Sequence, residues 1–508
     1  MSTLLPPAQK LRVTQTLAKL SLPKLNTHDA LIILVPDSLS NAQWDTLPDG
    51  PKLQNLLKRA KKHGTKKRIR SHLGNDTATS VVLAEPVNTT DWPESFELLS
   101  IARQIVSDAL QDKPASLALA VHGFSSAQAA ELYKALLLAA LAIDFKMPVF
   151  RSNKAKQTRL KKITLFGKTP AKLIERASIE AESLNLSRWL TALPANVLDA
   201  GNYRKAIRSL AKDNHWQMKF YNESTLKKLG AGAFLAVSQG NSRSDAGIVH
   251  LKYRPKKSSD KPELALVGKG IVFDTGGTNL KPFKSMLDMH EDMAGSAVAL
   301  GTMLALSKLK VPFAIDCWLA ITENRNSAKA YKSRDIVTAA NGTTIEVIHT
   351  DAEGRMALAD TLALAGEKKP KLIMDFATLT GTCVSALTDR YSGGFTNRDA
   401  LHSNIIAAGR ASGERVWTFP TDKDFDEELR SRNADVLQCA VSGGGDHIQA
   451  ARFLQRFVPK NSAWIHIDLS AASRSNGLAQ VPGGPTGFGV RFNLELLLDQ
   501  NILSGLKN

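Results

Sequence analysis

The stretch VGKGIVFDTGG at residues 267–277 decides both the fold and the function predicted for this chain. It joins an apolar strand pattern to a lysine, an aspartate and a pair of glycines. A second stretch, HTDAEGR at residues 349–355, adds two acids and an arginine. Like charges a few ångströms apart repel and raise each other's pKa, so acids gathered in this way indicate cations between them. We therefore predict a two-metal hydrolytic site built on four carboxylates: Asp274, Asp292, Asp351 and Glu353.

Apolar segments recur around these two stretches with the spacing of strands and helices. Strand patterns cover residues 263–270, 313–322, 343–350, 371–379 and 463–470, and helical patterns at 296–309 and 354–368 lie between them. This alternation predicts a large α/β/α domain. We expect Asp274, Asp351 and Glu353 to follow strands, because ligands of open α/β sheets collect beyond the carboxyl ends of the strands. Asp292 stands just before a helix, whose N-terminus adds a positive dipole.

The first third of the chain has the same alternation on a smaller scale. Strands are predicted at residues 30–37, 80–86, 116–123 and 161–167, and helices at 95–110 and 126–143. They indicate a small α/β domain with a largely parallel sheet. A helix with Pro170 in its first turn follows at residues 169–193. The predicted domains are therefore 1–168, a linker helix at 169–195, and a catalytic domain at 196–508.

Composition limits the class of protein. The chain has 508 residues, of which 43% are hydrophobic and 22% charged, values typical of a soluble globular protein. It contains no run of 18 apolar residues and no signal-peptide pattern, so we expect neither a membrane span nor secretion. Three scattered cysteines favour free buried thiols over disulfides, which points to the cytoplasm. The cysteines are Cys317, Cys383 and Cys439.

The net charge of +18 is unusual, and it is concentrated near the N-terminus. Residues 1–168 carry 24 Lys and Arg against 13 Asp and Glu, a balance of +11. The densest part, the basic run at residues 58–70, could attract polyanions such as DNA. Alternatively it is a solvated surface segment that only aids solubility, and we favour this interpretation because basic runs are common.

These motifs together resemble those of the leucyl aminopeptidase family, the M17 metallopeptidases. GKGIVFDTGG, LKP, DMAGSA and TDAEGRMALAD carry the resemblance, and ENRNSAKAYKSRDI, FATLTGTCVSAL, SGERVW, WIHIDL and TGFGVR extend it to the C-terminal part. The resemblance implies a macro-domain-like N-terminal α/β domain and a larger α/β/α catalytic domain with a central mixed sheet. It also implies an aminopeptidase that removes leucine and related residues from peptides through a metal-bridging hydroxide.

The resemblance also implies a role for each charged residue. Asp274 and Glu353 would bridge two Mn²⁺ or Zn²⁺ ions, Asp351 would complete one site, and Lys269 and Asp292 would complete the other. Taken singly, each has a structural alternative, such as a surface ion pair, an Asx turn or a first-turn helix acid. The ordered set outweighs those alternatives.

Two further residues are assigned to catalysis on the same basis. Lys281 would stabilise the developing oxyanion, and Arg355 would hold a bicarbonate that shuttles protons. The pocket for the first substrate side chain would be lined by Met289, Thr378, Leu379, Gly381, Ser470 and Ser473.

The resemblance implies a homohexamer acting on peptides. A DNA-binding accessory protein, with or without peptidase activity, is the alternative suggested by the basic charge, and an inactive scaffold is a third. The chain departs from the family at His349, at His290 and Glu291, and in the segment GGGDHIQAARFL at residues 443–454, which carries Asp446, His447 and Gln449. We expect none of these departures to touch a metal ligand.

Overall fold

The computed structural model describes residues 4–8, 10–62, 67–152, 159–256 and 258–506. It divides into two compact units. The N-terminal unit comprises residues 7–181 and 476–483, and the C-terminal unit comprises residues 1–6, 182–475 and 484–508. The return of residues 476–483 to the N-terminal unit has no counterpart in the predicted domains, whose boundaries at residues 168 and 196 stay a prediction.

The N-terminal unit is built on a six-stranded sheet in the order β1-β6-β5-β2-β4-β3, parallel except for the β3–β4 pair. Its strands are β1 (Arg12–Thr16), β2 (Ala30–Leu34), β3 (Arg68–His72), β4 (Ser80–Ala84), β5 (Ser116–Val121) and β6 (Lys162–Phe166). Its helices are α1 (Leu22–Leu25), α2 (Asn41–Trp44), α3 (Gly50–Lys62), α4 (Ser95–Ala109), α5 (Ser126–Asp144) and α6 (Ala171–Thr191), the last continuing past Ala181. The prediction of a largely parallel α/β unit is confirmed.

Helix α5 illustrates how local sequence sets an element of this unit. Ser125 and Gln128 form a capping box at its start, each side chain bonding to the other's backbone N–H. Most of its apolar residues are buried in the core shared with α4 and the central strands. By length and composition alone α5 could cross a membrane, but a core helix of this kind passes the same test.

The C-terminal unit is built on an eight-stranded mixed sheet in the order β15-β14-β17-β13-β9-β10-β8-β7. Two small sheets, β11-β12-β16 and β18-β19, accompany it. The strands are β7 (Gln217–Asn222), β8 (Gly247–Tyr253), β9 (Leu264–Asp274), β10 (Ile315–Asn324), β11 (Ile336–Thr338), β12 (Thr344–Glu346), β13 (Leu372–Ala377), β14 (Ser392–Thr396), β15 (Val416–Thr418), β16 (Val436–Leu437), β17 (Ala463–Asp468), β18 (Ser473–Arg474) and β19 (Gly484–Pro485). The predicted central mixed sheet is therefore confirmed.

The helices of this unit are α7 (Ala200–Asp213), α8 (Glu223–Lys228), α9 (Gly232–Ser238), α10 (Phe283–Met286), α11 (Ala294–Lys308), α12 (Glu353–Gly366), α13 (Gly381–Leu387), α14 (His402–Ser412), α15 (Asp446–Gln455), α16 (Val490–Leu494) and α17 (Ile502–Gly505). Short 3₁₀ turns lie at Met289–Glu291, Thr388–Arg390, Asp399–Leu401 and Lys423–Leu429, and a π turn at Glu495–Asp499.

Helices α11 and α12 pack on opposite faces of the sheet at β9, so this unit has the predicted three layers: helix, sheet and helix. Ala265 and Val267 share a buried core with α12. Gly268 faces the other way, and a Cβ there would stand 2.4 Å from the Ser296 Cα of α11. Both helices are apolar nearly all round, as expected for helices buried in a core.

One strand prediction is wrong in extent. The pattern at residues 343–350 forms only the three-residue strand β12, in a small sheet outside the main one. Beyond it the backbone N–H groups of Ile348 and His349 both donate to the Gln438 side chain at 3.0 Å, so no strand neighbour is needed. Asp351 therefore lies in a loop, and Glu353 is the first residue of α12.

The three cysteines are free and buried, as predicted. The basic run falls on α3 and β3, apart from residues 63–66, which lie outside the described residues. Several of its cations have acidic partners: Lys61 pairs with Glu85, Arg68 with Asp108 at 2.6 Å, and Arg70 with Asp112. These ion pairs favour the reading of a solvated surface segment.

Candidate metal centre

Strand β9 carries the first two charged residues of the site. Lys269 and Asp274 are buried, and Asp274 is the last residue of the strand. The next residues turn away sharply through Gly276 and Gly277, whose φ angles are +86° and +66°. Such angles favour glycine. The turn lets the Gly276 N–H donate to Asp274 Oδ1 at 2.8 Å.

Two buried or half-buried lysines connect the four acids. Lys269 Nζ lies 2.7 Å from Asp292 Oδ1 and 2.9 Å from Glu353 Oε1. Lys281 Nζ lies 2.9 Å from Asp274 Oδ2 and 2.6 Å from Asp351 Oδ1. The structure thus brings together all the residues that the sequence predicted as metal ligands, with the predicted oxyanion lysine beside them.

The loop before α12 is held by neutral hydrogen bonds. Thr350 Oγ1 donates to the Gly276 carbonyl at 2.6 Å, and the Thr350 carbonyl accepts from Tyr331 Oη at 2.8 Å. Asn324 Nδ2 donates both to that carbonyl at 3.0 Å and to Asp274 Oδ1 at 2.8 Å. These bonds fix Asp351, one residue further on, against the end of β9.

The donor set fits divalent cations. Carboxylate oxygens of Asp274, Asp351 and Glu353 lie within 4.8 Å of one another. Asp292 Oδ2 and Glu353 Oε2 are buried without a hydrogen-bond partner among the described residues. A buried carboxylate oxygen without a partner is unfavourable, and a metal ion between such oxygens would satisfy it. Hard oxygen ligands suit Mn²⁺ and Mg²⁺, and Zn²⁺ also accepts them.

The electrostatics of the cluster indicate missing positive charge. Burial and the charge of Asp274 raise the pKa of Glu353 to about 8. Burial also raises the pKa of Asp292 to about 6, although Lys269 opposes the shift. Burial alone would lower the pKa of Lys269, but Asp292 and Glu353 raise it well above its usual value. The two lysines therefore compensate the four acids only in part.

Gly354 allows α12 to approach β9 at the site. A Cβ at this position would stand 2.6 Å from Cε and 2.8 Å from Nζ of Lys269. The glycine between Glu353 and Arg355 in the DAEGR stretch is thus needed for the place of Lys269. The sequence analysis did not assign it a role.

Arg355 has a carboxylate partner within the chain. Its Nη2 donates to Oδ1 and Oδ2 of Asp446 at 2.8 and 2.7 Å. His349 also contacts the site, because its Nδ1 accepts from the Asp351 N–H at 3.3 Å. The expectation that the departures from the family touch no metal ligand is therefore wrong for His349, and the segment at 443–454 contacts the predicted catalytic arginine through Asp446.

One of the residues predicted to line the substrate pocket contacts the acids. Thr378 touches the cluster directly: its Oγ1 donates to Asp292 Oδ1 at 2.7 Å, and its carbonyl accepts from Lys269 Nζ at 2.9 Å. Ser470 Oγ donates to Cys383 Sγ at 2.9 Å, and the Ser473 side chain hydrogen-bonds Glu291. Met289 and Leu379 are half-buried, and Gly381 is exposed at the start of α13.

Sequence reasoning gave no role to Asn324, Tyr331, Thr350 and Asp446. A signal existed for Asn324, which ends β10 as Asp274 ends β9, and the two are register partners in parallel strands. Polar residues at the carboxyl ends of adjacent parallel strands meet at one edge. For Asp446 no local pattern exists, since its contact with Arg355 spans 91 residues.

Comparison with known proteins agrees with this geometry. The model of the cytosol aminopeptidase family, catalytic domain, matches residues 185–494. A probable cytosol aminopeptidase of Syntrophotalea carbinolica is 42% identical over 328 residues, which are 64% of this chain and 65% of that protein. One from Rickettsia bellii is 32% identical over 493 residues, 94% of this chain and 97% of that protein. The chain thus spans just under two thirds of the first relative and nearly all of the second.

Two solved structures have the same fold. A mutant of tomato leucine aminopeptidase superposes with a TM-score of 0.84 at 26% identity, covering 97% of this chain and 98% of that one. The bottromycin maturation enzyme BotP, in complex with Mn, superposes with a TM-score of 0.80 at 28% identity, covering 93% and 99%.

Proposed function

Because this chain belongs to the cytosol aminopeptidase family, we propose that it is a metal-dependent aminopeptidase that removes N-terminal residues from peptides. One observation carries the proposal. Four carboxylates and two lysines converge at the end of β9, and two of the carboxylate oxygens are buried without a partner in the described structure. An acidic cluster this deep has little structural use unless cations enter it.

The five proposed ligands divide by position. Asp274 and Glu353 lie centrally, each close to a lysine, and would contact both ions. Asp351 would complete one site, and Lys269 with Asp292 the other. Lys269 must lose a proton to act as a ligand, because an ammonium has no lone pair.

Two bound divalent ions would supply Lewis acidity toward the peptide carbonyl and would lower the pKa of a water molecule. Lys281 would place positive charge beside the carbonyl oxygen that becomes negative when the carbonyl is attacked. Its Nζ is already held between Asp274 and Asp351 and would need little reorganisation. Thr378 keeps Asp292 and Lys269 in place.

The substrate class rests on the family resemblance and on the residues that it assigns to the substrate pocket. Leucine and related N-terminal side chains would contact Met289, Thr378, Leu379 and Gly381, and also Ser470 and Ser473. Because the two serines bring hydroxyls and Glu291 lies next to Ser473, we propose a broader preference than leucine alone.

Cytoplasmic location and homohexameric assembly belong to the same proposal. The names of the relatives support the first, and the family resemblance supports the second. Sedimentation velocity at several protein concentrations tests the assembly. No described contact favours DNA binding as the function, since part of the basic run is ion-paired.

The direct test uses purified protein dialysed against a chelator. Hydrolysis of leucyl-p-nitroanilide should vanish on chelation and return with Mn²⁺ or Zn²⁺. Asp274→Ala and Glu353→Ala should lose activity by orders of magnitude and bind fewer ions by elemental analysis.

Asp316→Ala is the matched control, because Asp316 is an equally buried, ion-paired carboxylate of β10 outside the cluster. It should lose thermal stability and keep its metal content. Wild-type turnover in either cluster variant would overturn the two-metal assignment.

A further inference from the structure

Arg355 carries a buried charge that requires an anion. It lies in the first turn of α12, two residues after Glu353, and its side chain is 2% exposed. A guanidinium keeps its charge at all physiological pH values. Leaving such a charge buried without a partner strongly destabilises a protein. An anion must therefore accompany Arg355.

Asp446 supplies that anion. It is the first residue of α15, where a negative side chain is favoured by the helix dipole. The backbone before it turns through Gly443 and Gly445, whose φ angles of +110° and +76° favour glycine. Burial would raise the pKa of Asp446, but the Arg355 guanidinium holds it below its usual range. The carboxylate is thus ionised near neutral pH.

A dissolved bicarbonate does not fit Arg355 while Asp446 is in place. A planar anion binds a guanidinium through two parallel N–H groups, either Nε with Nη2 or Nη1 with Nη2. Both arrangements use Nη2, and Nη2 already donates to both Asp446 oxygens. Nη1 donates to the Gln438 carbonyl at 3.3 Å, and Nε is buried without a partner among the described residues. The N–H groups left over, one on Nε and one on Nη1, do not lie side by side, so they cannot bind a planar anion in parallel.

We propose that Asp446 is the resident anion of this active site, occupying the edge of the Arg355 guanidinium that a dissolved bicarbonate would need, so that turnover requires no bicarbonate. The proposal rests on the proposed aminopeptidase function. Asp446 is a positioning residue, because it acts through Arg355 and makes no described contact with the metal ligands. Its carboxylate is about one third exposed, so its removal would open a path from solvent to the guanidinium.

The test compares wild type with Asp446→Ala in buffer freed of carbon dioxide. Wild-type kcat/KM should stay constant as bicarbonate is added. The alanine variant should begin low and rise roughly tenfold across the titration, with formate acting in the same way. A rise in the wild type, or none in the variant, would overturn the proposal.

Two variants separate this effect from a general loss of structure. Asp446→Asn fills the same space without the charge, so its activity should be low and should not respond to bicarbonate. Asp426→Ala breaks a bidentate pair that the turn at Lys423–Leu429 makes with Arg452 of the same helix, at 2.9 and 2.7 Å. It should lose thermal stability and show no bicarbonate response. Rescue of the asparagine variant to the level of the alanine variant would contradict the assigned position.

A second readout does not need catalysis. Bicarbonate should raise the melting temperature of metal-free Asp446→Ala, because it binds only the folded state, and should leave metal-free wild type unchanged. If the wild type proves to have no peptidase activity, the proposed function fails while this measurement still decides the role of Asp446. An equal shift in both proteins would overturn it.

Discussion

At the scale of single residues, two lysines with similar partners occupy different surroundings. Lys269 is buried and directs its N–H groups at three acceptors: Asp292, Glu353 and the Thr378 carbonyl. Lys281 is half-buried, with two acceptors. The first has the closed environment of a ligand, and the second keeps access to a substrate.

Replacing each lysine by alanine should therefore give different defects. Lys269→Ala should lower the metal content at one site. Lys281→Ala should keep both ions and lose about 10²–10³ in kcat, the usual cost of removing an oxyanion donor. Elemental analysis measures the metal content of each variant, and steady-state kinetics measures its kcat. Lys308→Ala, which breaks an exposed pair with Glu182, is the control and should change neither. Two ions in both lysine variants would contradict the distinction.

The raised carboxyl pKa values predict a pH effect on the metal-free protein. Glu353 ordinarily titrates near 4.5 and here near 8, so the folded state holds a proton that the unfolded state releases. That contribution to stability is present below pH 4.5 and is lost as pH rises through 8. We expect the stability of metal-free wild type, measured relative to Glu353→Gln, to fall over this interval. Bound Mn²⁺ should displace the proton and remove the trend. If the difference in stability between wild type and Glu353→Gln does not change with pH, the raised pKa of Glu353 is refuted.

The serines of the proposed substrate pocket give a third prediction at this scale. Each hydroxyl has one side-chain partner, Cys383 for Ser470 and Glu291 for Ser473, and a leucine side chain covering it would keep water from its remaining lone pair without offering a hydrogen bond. The double variant Ser470→Ala/Ser473→Met should shift kcat/KM toward leucine and methionine anilides. One methylene is worth only about 1–3 kcal/mol of discrimination, so the shift should be graded. Ser307→Ala, whose hydroxyl bonds a local carbonyl at 3.0 Å, is the control. An unchanged ranking would show that these serines do not set specificity.

Much of the candidate site could be predicted from the sequence because its acids and lysines lie within two segments, residues 269–292 and 351–353. Asp274 and Lys269 are five residues apart on one strand, and Asp351 and Glu353 are two apart. Their neutral supports, Asn324 and Tyr331, belong to other segments and become visible only when strand register is known. Asp446 could not be predicted at all, because nothing local links it to Arg355.

At the scale of elements, the site depends on how closely α12 approaches β9. The helix begins with Glu353 and Gly354, and the glycine leaves room only for the Lys269 side chain. The end of a lysine side chain is flexible. A larger residue at 354 should therefore displace the amine and leave the helix in place.

Gly354→Ala tests this packing directly. We expect a small loss in thermal stability, about 1–3 kcal/mol for an added methyl in a packed region, with a large loss of metal affinity at one site. Gly366→Ala is the matched control, because its Cβ would also clash, at 2.5 Å from Pro459 Cγ. It lies about 18 Å along the same helix. It should lose comparable stability and bind metal normally. Normal metal affinity in Gly354→Ala would contradict the role given to this glycine.

The elements that the sequence predicted well are the buried ones. They are apolar runs of ordinary length, and their patterns were sufficient to predict them from the sequence: strands β9, β13 and β17 and helices α11 and α12. The edge strands β1, β3 and β7 were missed because they carry polar residues on exposed faces, so their patterns resemble loops. The buried strands β8 and β14 were missed as well. Residues 343–350 had a strand pattern, but the Gln438 side chain takes the hydrogen bonds a neighbouring strand would have received.

At the scale of the whole molecule, the division into two units and the fold class follow from alternating strands and helices. The return of residues 476–483 to the N-terminal unit could not be predicted. It depends on contacts such as that of Arg103 Nη1 with the Asn476 carbonyl at 2.8 Å, which join positions 373 residues apart. The net charge of +18 is a whole-molecule property as well. Because three cations of the basic run are ion-paired, this charge does not by itself indicate a polyanion-binding site on the run.

The last prediction concerns polyanions. Lys61, Arg68 and Arg70 are ion-paired. The basic run should therefore attract DNA no more strongly than an equal number of exposed lysines elsewhere on the protein. We expect retention on a heparin column to be weak and to fall steeply with salt, as counterion release requires. Reversing the exposed Lys58, Lys62 and Lys67 to glutamate should weaken retention. Reversing the same number of exposed lysines in the C-terminal unit should weaken it equally, and the matched set is Lys205, Lys227 and Lys228. Peptidase rates should not change in either variant. A much larger loss in the first variant would instead support a DNA-binding surface on the basic run.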